Sequence, residues 1–126
     1  MNVQPSNPDT LVIKIDKALD FRNAANFKTL CLDYVNAGKR NFILDFSETG
    51  ILDSTGLGSI FALYRQVSKM DGRVMFAAPS RPVEVVVQLT RTHKVFPQYP
   101  SVQSALDAVQ GNGTPAGAEQ QPAAME

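Results

Sequence analysis

The sequence has few of the residues that catalytic sites and covalent frameworks use most often. Its 126 residues include one histidine, one cysteine and no tryptophan. The single cysteine, Cys31, excludes a disulfide within the chain, and its place in an apolar helical pattern predicts a buried, inert thiol in a reducing compartment. The lone histidine, His93 in "RTHK", is expected to be a surface residue rather than a catalytic base.

The sequence also has no excess charge and no long hydrophobic run. Twelve basic residues balance twelve acidic ones, and the charges are dispersed, so no strong field attracts nucleic acid or an anionic membrane. No apolar run approaches the roughly 20 residues that span a bilayer, and the N-terminus "MNVQPSNPDT" does not resemble a secretion signal. We therefore expect a cytoplasmic protein that recognises a partner by shape and local chemistry.

The hydrophobic residues, 44% of the chain, alternate between strand and helix patterns. Strand patterns cover residues 10–15, 41–46, 73–78 and, as a short edge strand, 95–100. Helix signals cover residues 23–37, the segment from Leu57 to about Met70, the segment after Ser80 with its early Pro82, and the segment after Ser101. This alternation predicts an α/β fold with a mainly parallel sheet of four to five strands and about four helices packed against it.

The length and composition predict a single domain with two tails. We expect the domain to cover residues 10–110, after an N-terminal extension of residues 1–9. The C-terminal residues 111–126 are rich in glycine, proline, alanine and glutamine and have little to bury. We predict that this tail is disordered.

The stretch "ILDSTGLGSIF", residues 51–61, joins the second strand to the second helix, where α/β sheets usually meet ligands or partners. It is not a dinucleotide fingerprint, because Phe61 stands where the third glycine of G-x-G-x-x-G belongs. It is not a P-loop, because five residues separate Gly50 from Gly56 and no lysine follows. A nucleophile elbow would need glycine in place of Leu52.

No catalytic or metal-binding constellation is evident elsewhere. A hydrolase triad needs a histidine base, and His93 has no companion pattern. Four dispersed carboxylates show no recognised spacing for metal ligands: Asp16, Asp20, Asp45 and Asp53. We therefore expect neither a metal nor a cofactor.

Two roles then remain open for the hydroxyls of the stretch. Ser54 or Thr55 can cap the second helix by accepting a hydrogen bond from a first-turn amide. Gly56 and Gly58 each cost about 1 kcal/mol relative to alanine in a helix, so their position predicts that another backbone approaches closely. A hydroxyl on such a surface also suits modification, since a phosphate would add about −1.5 to −2 charge beside Asp53 and oppose a docked partner.

The segment from "FILDFSETGILDSTGLGSIF" onward resembles the bacterial anti-sigma factor antagonists, which are single STAS domains. Their signature is an aliphatic strand followed by D-S-[ST]-G-L-G and a helix, and the likeness extends from about Leu11 to Val109. The resemblance implies a non-enzymatic partner-switching protein, monomeric when free. Its unmodified form would bind an anti-sigma factor that is a serine kinase of the histidine-kinase-like ATPase superfamily, and a metal-dependent serine phosphatase would remove the phosphate. A constitutive STAS binding or scaffolding module is the alternative function.

The resemblance also implies roles for individual residues. Ser54, which follows the aspartate of the motif, would be the phosphoacceptor, with Thr55 as the alternative. The partner-binding surface would comprise Asp20, Asp53, Thr55, Gly56, Leu57 and Gly58. The chain departs from the family at Asp16 and Lys17, and again at Arg91, where many members have glycine.

Overall fold

The structure is a computed structural model that describes residues 1–111. These residues form seven strands: β1 (Asn2–Asn7), β2 (Thr10–Lys14), β3 (Ala18–Leu19), β4 (Asn41–Asp45), β5 (Ile51–Leu52), β6 (Arg73–Ala77) and β7 (Gln98–Tyr99). They also form four α-helices: α1 (Ala24–Asn36), α2 (Ser54–Ser68), α3 (Arg81–Thr90) and α4 (Val102–Gln110). A short 3-10 helix, Thr92–Lys94, follows α3. Apart from Gly111, the predicted disordered tail lies outside the described residues.

Five strands form one sheet in the order β1-β2-β4-β6-β7. The neighbours from β2 to β7 run parallel, and Ile13, Leu44 and Phe76 lie side by side across its centre. These three side chains are fully buried. The predicted mainly parallel α/β architecture with four helices is therefore confirmed.

The first strand lies within the segment predicted as an N-terminal extension. β1 pairs antiparallel with β2, from Asn2 opposite Lys14 to Asn7 opposite Thr10. Most of its side chains are exposed, because an edge strand is held by main-chain hydrogen bonds and Pro5 is tolerated there. Such a strand has no apolar pattern, which is why the sequence did not predict it. Because β1 belongs to the main sheet, the folded unit begins before the predicted residue 10.

A small parallel sheet lies near the stretch of residues 51–61. β3 pairs with β5, with Ala18 opposite Ile51 and Leu19 opposite Leu52. Strands of two residues are too short for a hydrophobic pattern, and the sequence did not predict them. Their pairing places the loop before α1 beside the start of α2.

Two hydrophobic clusters, one on each face of the main sheet, form the core. The larger one includes buried residues of α1, α2 and α3, among them Phe27, Ile60 and Val83. The smaller one includes Ala105 of α4. Cys31 lies in the larger cluster, and burial raises the pKa of its thiol to about 12, which agrees with the predicted inert thiol.

The signals at the ends of the later helices act as the sequence predicts. Ser80 Oγ accepts a hydrogen bond from the Val83 amide at the start of α3, and Pro82 lies in its first turn. Ser101 caps α4 through a reciprocal pair of hydrogen bonds with Ser104. The segment "VEVVV" is therefore helical despite its valines, as the start signals of α3 predict.

Candidate functional site

The D-S-T-G-L-G motif, residues 53–58, lies at the junction between β5 and α2. Asp53 is the N-cap of α2 and Ser54 is its first residue. The side chains of Ser54 and Thr55 are both exposed. No hydrogen bond within residues 1–111 holds either hydroxyl. Another protein's active site can therefore reach both oxygens.

Asp53 joins the start of α2 to the loop before α1. Its Oδ1 accepts a hydrogen bond from the Gly56 amide at 2.8 Å, and its Oδ2 accepts one from the Phe21 amide at 3.0 Å. The helix cap is therefore Asp53, and the prediction that Ser54 or Thr55 caps α2 was wrong. A carboxylate with two oxygens can bind both amides at once, whereas a hydroxyl can serve only one of these positions.

Replacing Asp53 with alanine is expected to lower the free energy of unfolding by about 2 kcal/mol. A lost cap costs about 1 kcal/mol, and the lost hydrogen bond to the Phe21 amide adds about as much. Urea denaturation measures the change. Asp33→Ala, at an exposed position within α1, is the control and should change stability by less than about 0.5 kcal/mol. Equal effects of the two substitutions would contradict the bridging role of Asp53.

Asp20 lies in the same loop, next to Phe21. It is only 4% exposed, and its Oδ2 accepts hydrogen bonds from Arg22 Nη2 at 2.7 Å and Nε at 3.1 Å. Its Oδ1 accepts one from the Arg22 amide at 3.0 Å. The bonds from the Arg22 guanidinium lower the pKa of Asp20, so its carboxylate is ionised near neutral pH. The carboxylate is engaged within its own loop, and its role as a partner contact stays a prediction.

The two glycines of the motif have different surroundings. A Cβ on Gly56 would lie 2.2 Å from the carbonyl oxygen of Leu19, so the predicted close backbone approach comes from β3 of the same chain. A Cβ on Gly58 would meet nothing within 4 Å. Leu57 is buried in the larger core cluster. Gly56 and Leu57 thus position the helix, whereas Gly58 and Thr55 lie at the surface.

The structure adds exposed apolar side chains that the sequence analysis missed. Phe21 is 72% exposed and Ile51 is 50% exposed. Both flank the motif, since the Phe21 amide is bonded to Asp53 and Ile51 lies in β5. Large apolar side chains around an accessible hydroxyl are typical of a protein-binding surface. The one signal in the sequence for this apolar surface was the position of Ile51, three residues before Ser54. Its exposure could not be predicted, because Ile51 lies in the short pairing of β3 with β5.

The possible metal ligands of the described residues do not cluster. Within residues 1–111, no group of three histidine, cysteine, aspartate or glutamate side chains could hold a metal ion. His93 is half-buried in the 3-10 helix rather than fully exposed, and the described part of the chain provides no hydrogen-bond partner for its Nδ1. Over the same residues, none of the helices has both the length and the apolar character needed to cross a membrane.

Comparison with known proteins identifies the family. The family model of the STAS domain matches residues 3–105. A Thermotoga neapolitana protein named as a candidate anti-sigma factor antagonist, a homologue of TM1081, is 30% identical over 104 residues, which are 82% of this chain and 92% of the relative. The chain belongs to the STAS-domain family of anti-sigma factor antagonists.

Solved structures agree with this STAS assignment. The crystal structure of the candidate anti-sigma factor antagonist TM1081 from Thermotoga maritima has a TM-score of 0.81 and 25% identity, with 86% of this chain and 93% of that chain covered. The anti-sigma factor antagonist SpoIIAA in its unphosphorylated form has a TM-score of 0.80, with 90% of this chain and 98% of that chain covered. At 20% identity, the SpoIIAA match shows the shared fold.

One departure of this STAS domain from the family pattern has a direct structural account. Arg91 ends α3 with φ of 59°, in the left-handed region that favours glycine. Glycine adopts this conformation with the least strain, so a residue with a side chain is unusual at such a helix end. This chain has an arginine there, which adds a charge at the end of α3.

Proposed function

We propose that this STAS domain is a phosphorylation-controlled anti-sigma factor antagonist in a partner-switching pathway. Its unmodified form binds an anti-sigma factor that is also a serine kinase of the histidine-kinase-like ATPase superfamily. Phosphorylation of Ser54 releases the partner, and a metal-dependent serine phosphatase restores the binding form. The domain is a phosphoacceptor in the cytoplasm and not an enzyme. The observation that carries this proposal is the exposed Ser54 hydroxyl at the first position of α2, directly after the cap Asp53.

The position of Ser54 suits a switch that leaves the fold intact. A phosphate at a helix N-terminus is tolerated by the positive end of the helix dipole and by nearby amides. In a complex, the same phosphate would be desolvated next to the Asp53 carboxylate. The free domain therefore accommodates the modification, whereas the complex does not.

The choice between the two hydroxyls rests on the family motif. Ser54 and Thr55 are both exposed in the first turn of α2, so accessibility favours neither. The family places its acceptor directly after the motif aspartate, which here is Asp53. Ser54 is accordingly the proposed acceptor, and Thr55 is the residue that the experiment must exclude.

The phosphorylation experiment uses the kinase that the wild-type protein captures from its own cells. Incubation with this kinase and ATP should add one phosphate to the wild type and to Thr55→Ala, and none to Ser54→Ala, as read by intact mass. Ser59→Ala is a further control, because the Ser59 side chain is buried and its Oγ bonds the Gly56 carbonyl at 2.6 Å. A phosphate on Ser54→Ala but not on Thr55→Ala would move the acceptor to Thr55. A captured kinase that modifies none of the proteins would favour a constitutive binding module.

A further inference from the structure

The ion pair between Asp20 and Arg22 lies on the loop that Asp53 holds against α2. Between its two members is Phe21, whose amide donates to Asp53 Oδ2 at 3.0 Å. Ser54 follows Asp53 directly. We propose that Arg22 binds the phosphate on Ser54, so that phosphorylation transfers the guanidinium from the Asp20 carboxylate to the phosphoserine. This inference rests on the proposed role of Ser54 as phosphoacceptor.

Arg22 has the exposure and the donors that this transfer requires. Its side chain is 66% exposed, whereas that of Asp20 is 5% exposed. Its Nε and Nη2 atoms bond Asp20, and within residues 1–111 its Nη1 atom makes no hydrogen bond. The guanidinium carbon lies 6.0 Å from the centroid of the Phe21 ring. Phe21 is the exposed residue whose amide bonds Asp53. A guanidinium of this kind can bind a phosphate through two parallel hydrogen bonds.

The charges around Arg22 favour a negative group at Ser54 as a second partner. Asp20 raises the pKa of Arg22 through its hydrogen bonds, and the Asp53 carboxylate raises it further through space. The field of Asp53 thus already reaches the guanidinium, and Ser54 is the next residue. A phosphoserine there carries about −1.5 to −2 charge, which exceeds the single charge of Asp20 and competes with it for the guanidinium.

The transfer would change the conformation of this surface as well as its charge. Asp20 is 4% exposed, and a buried carboxylate that loses its cation is destabilised unless the surroundings change. The loop between β3 and α1 must then rearrange or let water reach Asp20. Because Phe21 belongs to this loop, a rearrangement would also move an apolar side chain of the proposed partner surface.

The test measures the second pKa of the phosphate by phosphorus NMR. Phosphoserine is incorporated at position 54 during translation, so no kinase is needed. A cation bound to the phosphate lowers this pKa, and we expect Arg22→Gln to raise it by about one unit. Arg22→Lys should restore part of the shift. The matched control is Lys17→Gln, which also removes an exposed positive charge. The Lys17 carbonyl accepts a hydrogen bond from the Gly50 amide at 2.8 Å, and this main-chain bond is kept in the variant. Lys17→Gln should leave the phosphate pKa nearly unchanged.

Two results of this phosphate titration would overturn the proposal. One is the same phosphate pKa in the wild type and in Arg22→Gln, and the other is an equal shift from Lys17→Gln, which would indicate a general field instead of a specific contact. Backbone amide spectra of each variant establish that it is folded. A kinase that ignores Ser54 would contradict the proposed function and would leave this measurement intact, so the two failures are distinguishable.

The Asp20 carboxyl group supplies a second readout by carbon NMR. Since the guanidinium lowers the pKa of Asp20, losing it to the phosphate should raise that pKa in the phosphorylated wild type. In Arg22→Gln the guanidinium is already absent, so phosphorylation should raise the Asp20 pKa by a smaller amount. Equal rises in both proteins would show that Asp20 senses only the phosphate charge, and they would rule out the transfer.

Discussion

Replacing Gly56 with alanine is expected to lower the free energy of unfolding by about 3 kcal/mol. The new Cβ would lie 2.2 Å from the Leu19 carbonyl oxygen and 2.8 Å from the Leu19 carbonyl carbon. These are backbone atoms of β3, so no side-chain rotation can relieve the overlap. Either α2 must move outward or the pairing of β3 with β5 must break. Urea denaturation reports the loss, and amide spectra show whether the loop before α1 has moved.

Gly58→Ala is the matched control on the same helix. Its Cβ would meet nothing within 4 Å, and alanine is favoured over glycine inside a helix by about 1 kcal/mol. Gly58→Ala is therefore expected to stabilise the domain slightly, so the two variants should differ by about 4 kcal/mol. Equal stabilities would mean that β3 yields easily and that Gly56 does not fix the start of α2.

The two glycines of the motif have different roles. Gly56 allows the Leu19 carbonyl to approach α2, and Asp53 bonds the next part of that loop through the Phe21 amide. Both contacts lie within the chain and determine where Ser54 is presented. Gly58 has open space around it, so a partner can approach the backbone closely at this position.

The central strands and the helices were predictable because burial leaves a pattern in the sequence. A strand covered on both faces, such as β4, must be apolar almost throughout, and its side chains from Phe42 to Leu44 are fully buried. Edge and two-residue strands have no such requirement, which is why β1, β3 and β5 were missed. In α3, the start signals Ser80 and Pro82 correctly outweighed the strand propensity of the valines.

The candidate site was predictable only in part, for a related reason. The motif is a contiguous string, so its place between a strand and α2 followed from the sequence. The cap was not predictable, because Asp53, Ser54 and Thr55 all suit an N-cap and a distant amide, that of Phe21, favours the carboxylate. The proposed contact of Arg22 with a phosphate on Ser54 likewise depends on the pairing of β3 with β5, which the sequence did not reveal.

A phosphate on Ser54 is expected to weaken binding to the captured kinase by at least about 100-fold, which corresponds to about 2.7 kcal/mol. The added charge lies directly after Asp53, which bonds the amide of the exposed Phe21, and three residues after the exposed Ile51. An unpaired charge buried in an interface costs about 2–5 kcal/mol, and Arg22, if it binds the phosphate, offsets only part of this. Titration calorimetry with phosphoserine at position 54 measures the change.

The control for this binding prediction is phosphoserine at Ser68, the last residue of α2 and also exposed. At a rise of 1.5 Å per residue it lies roughly 20 Å from Ser54 along the helix, so it adds the same charge away from the proposed surface. We expect its affinity to stay within about threefold of the wild type. Equal weakening at both positions would reduce the effect to overall charge. Full affinity with phosphoserine at position 54 would instead make the domain a constitutive binding module, because a surface that accepts the phosphate cannot use it as a switch.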